Sequence, residues 1–242
     1  MSRIQRLLIA NRGEIALRII RTAADAGIET VAVHPEDDAA ALHVLRADRA
    51  EPLPGRGARA YLDIAAIVEA ARRAGCDAVH PGYGFLSENP QFAGAVEAAG
   101  LRFVGPTPDS LALYGDKLAA RGLAVELGVP VLPGTAGPVD AAAAEAFLAA
   151  QPDGASMVLK AVAGGGGRGM RVVHEAAEVA AAVEAARREA EAAFGVADVY
   201  AERFIGSARH VEVQVLGDGR GGVATLGERD CTLQRRHQKL VE

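Results

Sequence analysis

The sequence contains no tryptophan, and aromatic residues make up only 4% of its 242 positions. This scarcity argues against the aromatic platforms on which single-stranded nucleic acids stack. Only two cysteines are present, Cys76 and Cys231, and they lie far apart in the chain. Neither a disulfide framework nor a Cys-x-x-Cys metal knuckle can be built from them, so a reducing compartment is expected.

Long apolar runs and an excess of basic charge are also missing. The first apolar run covers only residues 7–10, whereas a secretory signal needs about 7–15 such residues and a membrane span about 20. With 26 basic and 31 acidic residues, the formal net charge is −5. That balance disfavours a binder of nucleic acids or membrane surfaces. We therefore expect a cytoplasmic protein with neither kind of partner.

The first hundred residues alternate short apolar strands with amphipathic helices. We predict strands over 6–10, 30–34, 78–80 and 101–104, and helices over 15–27, 64–74 and 91–99. This alternation is typical of βαβ units around a parallel sheet. Ligands of such sheets bind beyond the carboxyl ends of the strands, where the loops 11–14 and 81–88 are expected to lie.

The second half of the sequence has a different pattern. Helical periodicity continues from residue 109 to 127, and a Pro- and Gly-containing break at 129–134 suggests a domain boundary. Strands are predicted over 157–162, 170–174 and 199–205, with helices over 140–150 and 176–193. Strict alternation over 210–216, a Gly-rich turn at 217–222 and a return strand over 223–228 indicate a hairpin. We expect an antiparallel α+β unit here.

A glycine-rich segment between two predicted strands is the most informative feature. Lys160 lies on the incoming strand, and Gly164, Gly165, Gly166 and Gly167 follow, with Arg168 next. Glycines leave backbone N–H groups free to approach an anion, so a lid over a polyphosphate is one interpretation. A flexible linker without ligand is the other. The segment lacks both the Gly-Lys-Ser/Thr ending of a Walker A loop and the dinucleotide fingerprint.

Several other positions allow both a functional and a purely structural interpretation. Lys117 at a helix start is usually solvated, and Glu202 either lies on the solvent face of its strand or accepts a hydrogen bond from a ribose or adenine. His210 could face either way, and Cys231 is expected to pack in the interior. The loop 80–89 is either a tight turn with a Ser87 helix cap or a substrate-facing loop.

The C-terminal stretch concentrates hydrogen-bond donors that suit phosphate or carboxylate groups. A solvated basic surface is the alternative. The donors are Arg229, Arg235, Arg236, His237 and Lys239.

Taken together, six motifs resemble the biotin carboxylases, the biotin-carboxylating component of acetyl-CoA, propionyl-CoA, methylcrotonyl-CoA and pyruvate carboxylases within the ATP-grasp superfamily. The motifs lie at 9–18 (Ile-Ala-Asn-Arg-Gly-Glu-Ile-Ala-Leu-Arg), 80–89, 115–117 (Gly-Asp-Lys), 160–170, 209–212 (Arg-His-Val-Glu) and 228–239. They span nearly the whole chain. At one loop position that family members often fill with glycine, this chain has Ala163.

The resemblance implies an α/β fold built from consecutive parts. A Rossmann-like pre-ATP-grasp domain with a parallel sheet would cover residues 1–115, and a helical linker 116–130. An α+β ATP-grasp lid subdomain would cover 131–204, and the start of the second ATP-grasp subdomain 205–242.

The resemblance also implies roles for individual residues. Lys117 and Lys160 match positions that hold the nucleotide phosphates, and Gly164–Gly167 match the phosphate-covering lid. Met170, Glu202 and Ile205 match positions in or beside the adenine pocket. His210, Gln234 and His237 match positions around the ribose and phosphates. Lys239 matches a position near bicarbonate, and Tyr83 and Gly84 match the approach of biotin. Lys239, His210 and His237 are the expected catalytic residues.

The implied reaction is ATP-dependent carboxylation of biotin. Bicarbonate attacks the γ-phosphate, carboxyphosphate releases CO₂, and a ureido nitrogen of biotin captures it. The cofactors are ATP and Mg²⁺, and cations neutralise the transferring phosphoryl group. The expected partners are a biotin carboxyl carrier protein or domain and a carboxyltransferase component, in an acyl-CoA carboxylase, and a homodimer is compatible with the resemblance.

Family members are roughly twice as long, which leaves two alternatives open. The acids that bind Mg²⁺ and the groups that handle bicarbonate and biotin are expected beyond residue 242, so no metal ligand is assigned here and the chain alone is expected to be nearly inactive. One alternative is another ATP-grasp ligase, similar to carbamoyl-phosphate synthetase. The other is a catalytically incomplete module that binds nucleotide or docks onto a carboxylase.

Overall fold

A computed structural model describes residues 3–163, 169–235 and 238–239, and gives only the backbone of Arg235, Gln238 and Lys239. The chain divides into two compact units, Met1–Gly115 and Asp116–Glu242. Among the described residues, no helix combines the length and the apolar character that crossing a bilayer requires.

A five-stranded parallel sheet is the centre of the first unit. Its strands are β1 (Arg6–Ile9), β2 (Glu29–His34), β3 (Arg49–Pro52), β4 (Ala78–His80) and β5 (Arg102–Phe103). They lie in the order β3-β2-β1-β4-β5, so the chain runs to one side of β1 first and to its other side later. The carboxyl ends of β1 and β4 therefore flank the point where the strand order reverses, which is where ligands of such sheets bind.

Helices cover both faces of this sheet. They are α1 (Gly13–Asp25), α2 (Leu42–Arg46), α3 (Ile64–Arg73), α4 (Pro90–Ala98) and α5 (Pro108–Gly115), with 3₁₀ turns at Glu36–Asp38 and Gly57–Leu62. Successive side chains of β1 point to opposite faces. Leu8 joins one core cluster with Tyr61 and Phe92, whereas Leu7 and Ile9 join the other cluster against α1. Burial on both faces explains why residues 7–9 of β1 form a continuous apolar run.

Several features of the first unit differ from the sequence-based expectation. Strand β3, helix α2 and the 3₁₀ turn at Gly57–Leu62 were not predicted. Strand β3 contains Arg49 and Glu51, lies at the sheet edge and is mostly exposed, so it lacks the apolar signal of the inner strands. The expected Ser87 cap is wrong: the side chain of Asn89 accepts the N–H of Phe92 and caps α4.

The second unit contains a three-stranded antiparallel sheet backed by two helices. The helices of this unit are α6 (Lys117–Glu126), α7 (Ala141–Ala149) and α8 (Val179–Phe194), the last preceded by a 3₁₀ turn at Ala176–Glu178. The sheet strands are β6 (Ser156–Ala161), β7 (Arg171–Val173) and β8 (Val199–Phe204), in the order β7-β6-β8. Met157, Leu159 and Ala201 on one sheet face form a core cluster that includes residues of α7 and α8. Lys160 and Glu202 alternate with these residues along their strands and therefore lie on the other face of the sheet.

Two antiparallel strands follow, β9 (Val211–Gly217) and β10 (Val223–Asp230), and a short ladder joins β11 (Gln234–Arg235) to β12 (Gln238–Lys239). Asp218 closes the connecting turn by accepting the N–H groups of Arg220 and Gly222. Within the described part of the chain, β9 and β10 pair only with each other. Their apolar side chains, Val213 and Val215 among them, are exposed. The predicted mixture of a parallel α/β unit and antiparallel α+β elements is confirmed.

Candidate functional site

Asn11 organises the turn at the carboxyl ends of β1 and β4. Its side chain is only 3% exposed, and Nδ2 donates to the carbonyl oxygens of Pro81 (2.7 Å) and Tyr83 (2.8 Å). Gly82 has φ +65°, and a Cβ at that position would lie 2.7 Å from Asn11 Nδ2. Only glycine combines this backbone conformation with so close an approach. The buried amide therefore determines the path of the loop that carries Tyr83.

His80 and Tyr83 present polar groups along this turn. His80 Nδ1 accepts the Gly82 N–H at 3.0 Å, and burial lowers the pKa of His80, which favours the neutral ring that this bond needs. Tyr83 is 61% exposed and donates its hydroxyl to Glu14, which raises the pKa of Tyr83. At Gly84, an added Cβ would meet nothing within 4 Å. The predicted biotin-facing positions, Tyr83 and Gly84, thus lie on an accessible surface of the first unit.

An aromatic and ionic cluster supports the far side of the same loop. Phe85 adopts a positive φ of 41° and stacks on the buried Tyr61 ring, with centroids 5.2 Å apart. The Tyr61 hydroxyl donates to Asp38 at 2.9 Å, and Arg12 forms an ion pair with Asp38 at 2.7 Å. Burial and the Asp38 contact raise the pKa of Tyr61. Although burial opposes it, hydrogen bonds from Arg12 and Tyr61 hold the pKa of Asp38 below its ordinary value.

In the second unit, Lys160 and Glu202 are paired across the sheet face opposite the core. Lys160 lies opposite Tyr200 in the register, so Lys160 and Glu202 are diagonal neighbours on β6 and β8. Lys160 Nζ lies 2.5 Å from Glu202 Oε2, and Arg121 Nη1 lies 3.6 Å from Glu202 Oε1. The Glu202 side chain is only 12% exposed. Of the two interpretations of Glu202, the one that places it on the solvent face is therefore wrong.

Gly134 lies directly over this ion cluster. Gly134 forms an isolated antiparallel β-bridge with Glu202. The backbone N–H of Arg203 donates to the Pro133 carbonyl at 2.8 Å. A Cβ on Gly134 would lie 3.0 Å from both Arg121 Cζ and Glu202 Cγ. Sequence reasoning missed Arg121 and Gly134. The available signal for Arg121 was its place one helical turn after Lys117, on the same face of α6.

The glycine loop itself, Gly164, Gly165, Gly166, Gly167 and Arg168, lies outside the described residues. The two strands that frame it are described: Leu159 pairs with Arg171, and Gly169, at φ +71°, would bring a Cβ to 3.0 Å from the Ala161 Cβ. Met170 on the return side is half-buried. This close approach sets the spacing between Ala161 and Gly169 in the flanking segments.

The remaining predicted nucleotide positions lie at element ends. Lys117 is the first residue of α6, where Asp116 caps the helix by accepting the N–H groups of Leu118 and Ala119, and Lys117 is half-buried rather than solvated. Ile205 follows β8 directly and is exposed.

The structure brings His210 and Gln234 together. Gln234 Nε2 lies 2.8 Å from His210 Nδ1 and also donates to the carbonyl of Cys231 at 3.0 Å. His210 donates its backbone N–H to Thr232 Oγ1 at 2.9 Å. Cys231 is fully buried, as expected of a packing residue. His237, Arg236 and the side chain of Lys239 lie outside the described residues, although the backbone of Lys239 pairs with Gln234.

A magnesium site does not emerge from these side chains alone. In the part of the chain that the structure describes, no group of three or more His, Cys, Asp or Glu residues could hold a metal ion. Glu202 is already engaged by two cations. Because Mg²⁺ binds through several oxygen ligands, the described residues do not fit a complete Mg²⁺ site.

Two family models match the chain in succession. Residues 3–111 match "Biotin carboxylase, N-terminal domain", and residues 116–242 match "Carbamoyl-phosphate synthase L chain, ATP binding domain". The biotin carboxylase of Pseudomonas aeruginosa is 48% identical over 240 residues, which are 99% of this chain and 54% of that protein. The pyruvate carboxylase of Bacillus subtilis is 49% identical over 243 residues, 99% of this chain and 21% of that protein.

Solved structures agree with these matches. The biotin carboxylase domain of Hydrogenobacter thermophilus 2-oxoglutarate carboxylase, a dimer in complex with MgADP, ADP and bicarbonate, has a TM-score of 0.94 at 42% identity. That match covers 99% of this chain and 53% of the other chain. Campylobacter jejuni biotin carboxylase, in its β-γ-ATP complex, has a TM-score of 0.92 at 44% identity, with 98% and 53% covered. The chain thus spans about half the length of the biotin carboxylases it matches, and it belongs to the biotin carboxylase family.

Proposed function

We propose that this chain binds ATP and takes part in the carboxylation of biotin by bicarbonate. The observation that carries the proposal is the ion pair on one sheet face of the second unit, where Lys160, near the end of β6, binds Glu202 on β8. The succession of the two family matches supports it, because a biotin carboxylase N-terminal domain precedes an ATP-binding domain in one chain.

The nucleotide is proposed to lie on the second unit, and each role follows the family resemblance. Lys117 and Lys160 bind phosphates, and Gly164, Gly165, Gly166 and Gly167 cover them as part of a lid subdomain at 131–204. Met170, Glu202 and Ile205 surround the adenine, and His210, Gln234 and His237 contact the ribose and phosphates. Backbone N–H groups and cations suit a polyphosphate because they offer fixed donors and compensating charge.

The proposed chemistry needs positive charge near the γ-phosphate. A bicarbonate oxygen attacks the γ-phosphorus, ADP leaves, and the resulting carboxyphosphate breaks down to phosphate and CO₂. The ureido nitrogen of biotin, having lost its proton, then forms the new bond to the CO₂ carbon. Lys239 would hold bicarbonate, and Lys160 would offset charge on the transferring group. Mg²⁺, if bound as well, would neutralise further charge on the phosphates.

Biotin is proposed to approach the open turn of the first unit. Tyr83 and Gly84 are exposed there, and Asn11 holds the turn from beneath. The biotin would arrive on a carrier protein or domain and leave for a carboxyltransferase component, in an acyl-CoA carboxylase of the cytoplasm. A homodimer is the proposed assembly, since the 2-oxoglutarate carboxylase domain named above is a dimer.

The test is ADP release from ATP by this chain combined with the remaining half of a carboxylase, as the relatives carry it. We expect release that depends on bicarbonate and rises on addition of free biotin, and little release from residues 1–242 alone. Lys160→Met should abolish the stimulated rate. Arg203→Met is the matched control. Arg203 follows Glu202 on β8 but lies on the opposite face of the sheet, where it donates to Gln151. A folded, reconstituted protein without biotin stimulation contradicts the proposal.

A second candidate function rests on the description of the second family match. An ATP-binding domain of the carbamoyl-phosphate synthase type also fits a ligase that uses ammonia. Ammonia-dependent ADP release that is indifferent to biotin would favour this candidate. The N-terminal match over residues 3–111 favours biotin as the acceptor.

A further inference from the structure

We propose that Arg121 is a positioning residue that holds Glu202 so that Lys160 can turn to the nucleotide phosphates. The inference rests on the proposed function, because it takes Lys160 as a phosphate ligand. The Lys160 ammonium is bound to Glu202 at 2.5 Å. In turning to the phosphates, Lys160 would give up this contact with Glu202.

The charges of the cluster support this exchange. Lys160 and Glu202 alone form a neutral pair, whereas Lys160, Glu202 and Arg121 together carry one net positive charge. The three side chains are 28%, 12% and 15% exposed, respectively. In such partly buried surroundings, water screens charges less than at an open surface. The second cation thus leaves the cluster attractive to a phosphate, although Lys160 is already paired.

The two cations are held differently. Arg121 also donates from Nη2 to the backbone carbonyl of Leu132, so its guanidinium has an anchor besides Glu202. Lys160 carries a single ammonium on a flexible four-carbon stem. We expect Lys160 to move and Arg121 to stay. If Arg121 were absent, the departure of Lys160 would leave a partly buried carboxylate without a cation, which is strongly unfavourable.

Gly134 provides independent support for a specific Arg121–Glu202 contact. The chain crosses the contact at this residue, and a Cβ there would lie 3.0 Å from Arg121 Cζ and Glu202 Cγ. The missing side chain lets the backbone pair with Glu202 while the guanidinium remains in place. The approach is steric, since Gly134 does not belong to the glycines with positive φ.

The test is a double-mutant cycle in which ATP affinity is measured by calorimetry. We expect Arg121→Met to weaken binding about 10-fold, a loss of ~1.4 kcal/mol. In a Glu202→Gln background the same change should alter affinity by less than about 2-fold, because no carboxylate needs a counter-ion and Lys160 alone still gives the cluster one net positive charge. Arg121→Gln, which keeps a donor for the Leu132 carbonyl but has no charge, should show the same loss as Arg121→Met. Arg203→Met should bind as the unmodified chain does.

Each outcome bears on the proposal. Equal affinities for the unmodified chain and Arg121→Gln overturn it, as does an undiminished loss in the Glu202→Gln background, which would indicate a purely structural role. Circular dichroism verifies that each variant is folded, and Arg121→Gln replaces Arg121→Met if the latter unfolds. Absence of ATP binding by the unmodified chain overturns the proposed function itself, so the two failures are distinguishable.

Discussion

Replacing Asn11 by alanine tests the architecture of the turn that carries Tyr83. The Asn11 side chain is buried and donates two hydrogen bonds, to Pro81 and Tyr83. Each bond contributes about 1 kcal/mol, and the two carbonyl oxygens left without this donor, one in a buried and one in a partly buried bond, add about 1 kcal/mol more. We therefore expect Asn11→Ala to lower the free energy of unfolding by about 3 kcal/mol.

The assay is urea unfolding of the chain followed by circular dichroism. Asn89→Ala provides a matched control in the same unit, because Asn89 makes one capping bond to the Phe92 N–H. Loss of a helix cap costs about 1 kcal/mol. Hydrogen exchange should also show faster exchange of the Gly82 amide in Asn11→Ala. An Asn11→Ala effect no larger than that of Asn89→Ala would refute the reasoning.

Three further outcomes are expected. Tyr61→Phe keeps the stack on Phe85 but loses the bond to Asp38, so the free energy of unfolding should fall by about 1.5 kcal/mol in urea titrations. Burial lowers the pKa of His43 in the folded chain, so as pH falls this side chain is protonated in the unfolded chain before it is protonated in the folded chain. The thermal stability of the chain should therefore be full above pH ~6.5 and decline as pH falls below that value. The decline should be less steep in His43→Gln. The Thr232 hydroxyl lowers the pKa of Asp230 to about 2. The ionised Asp230 carboxylate therefore stabilises the fold above the ordinary pKa of an aspartate, and this contribution is lost as pH falls through about 2. Thr232→Val should raise the midpoint of the Asp230 titration measured by NMR.

The inner strands and amphipathic helices could be predicted because their signals are local. Strand β1 is apolar over residues 7–9, and α1 buries Ala16, Ile19 and Ala23 at helical spacing. Strand β3 could not be predicted from its polar residues, since its pairing with β2 supplies the missing stabilisation. Edge strands expose one side to water, so their composition resembles that of a loop.

The candidate site shows the same division between local and distant signals. Alternation along β8 separates Glu202 from the core-facing residues, but the local pattern does not reveal that Gly134 and Arg121 cover its face of the sheet and keep it from solvent. His210 and Gln234 were grouped by family resemblance, and their hydrogen bond depends on the return of the chain after β10. Contacts between segments far apart in sequence require the fold, because no single window contains both partners.

A crystal structure of this chain with a non-hydrolysable ATP analogue tests the central claim most directly. We expect the phosphates within hydrogen-bond distance of the Lys117 and Lys160 amines, with Glu202 retained by Arg121. An analogue bound elsewhere, or one bound while both amines point away from its phosphates, would contradict the assignment of this sheet face to the nucleotide.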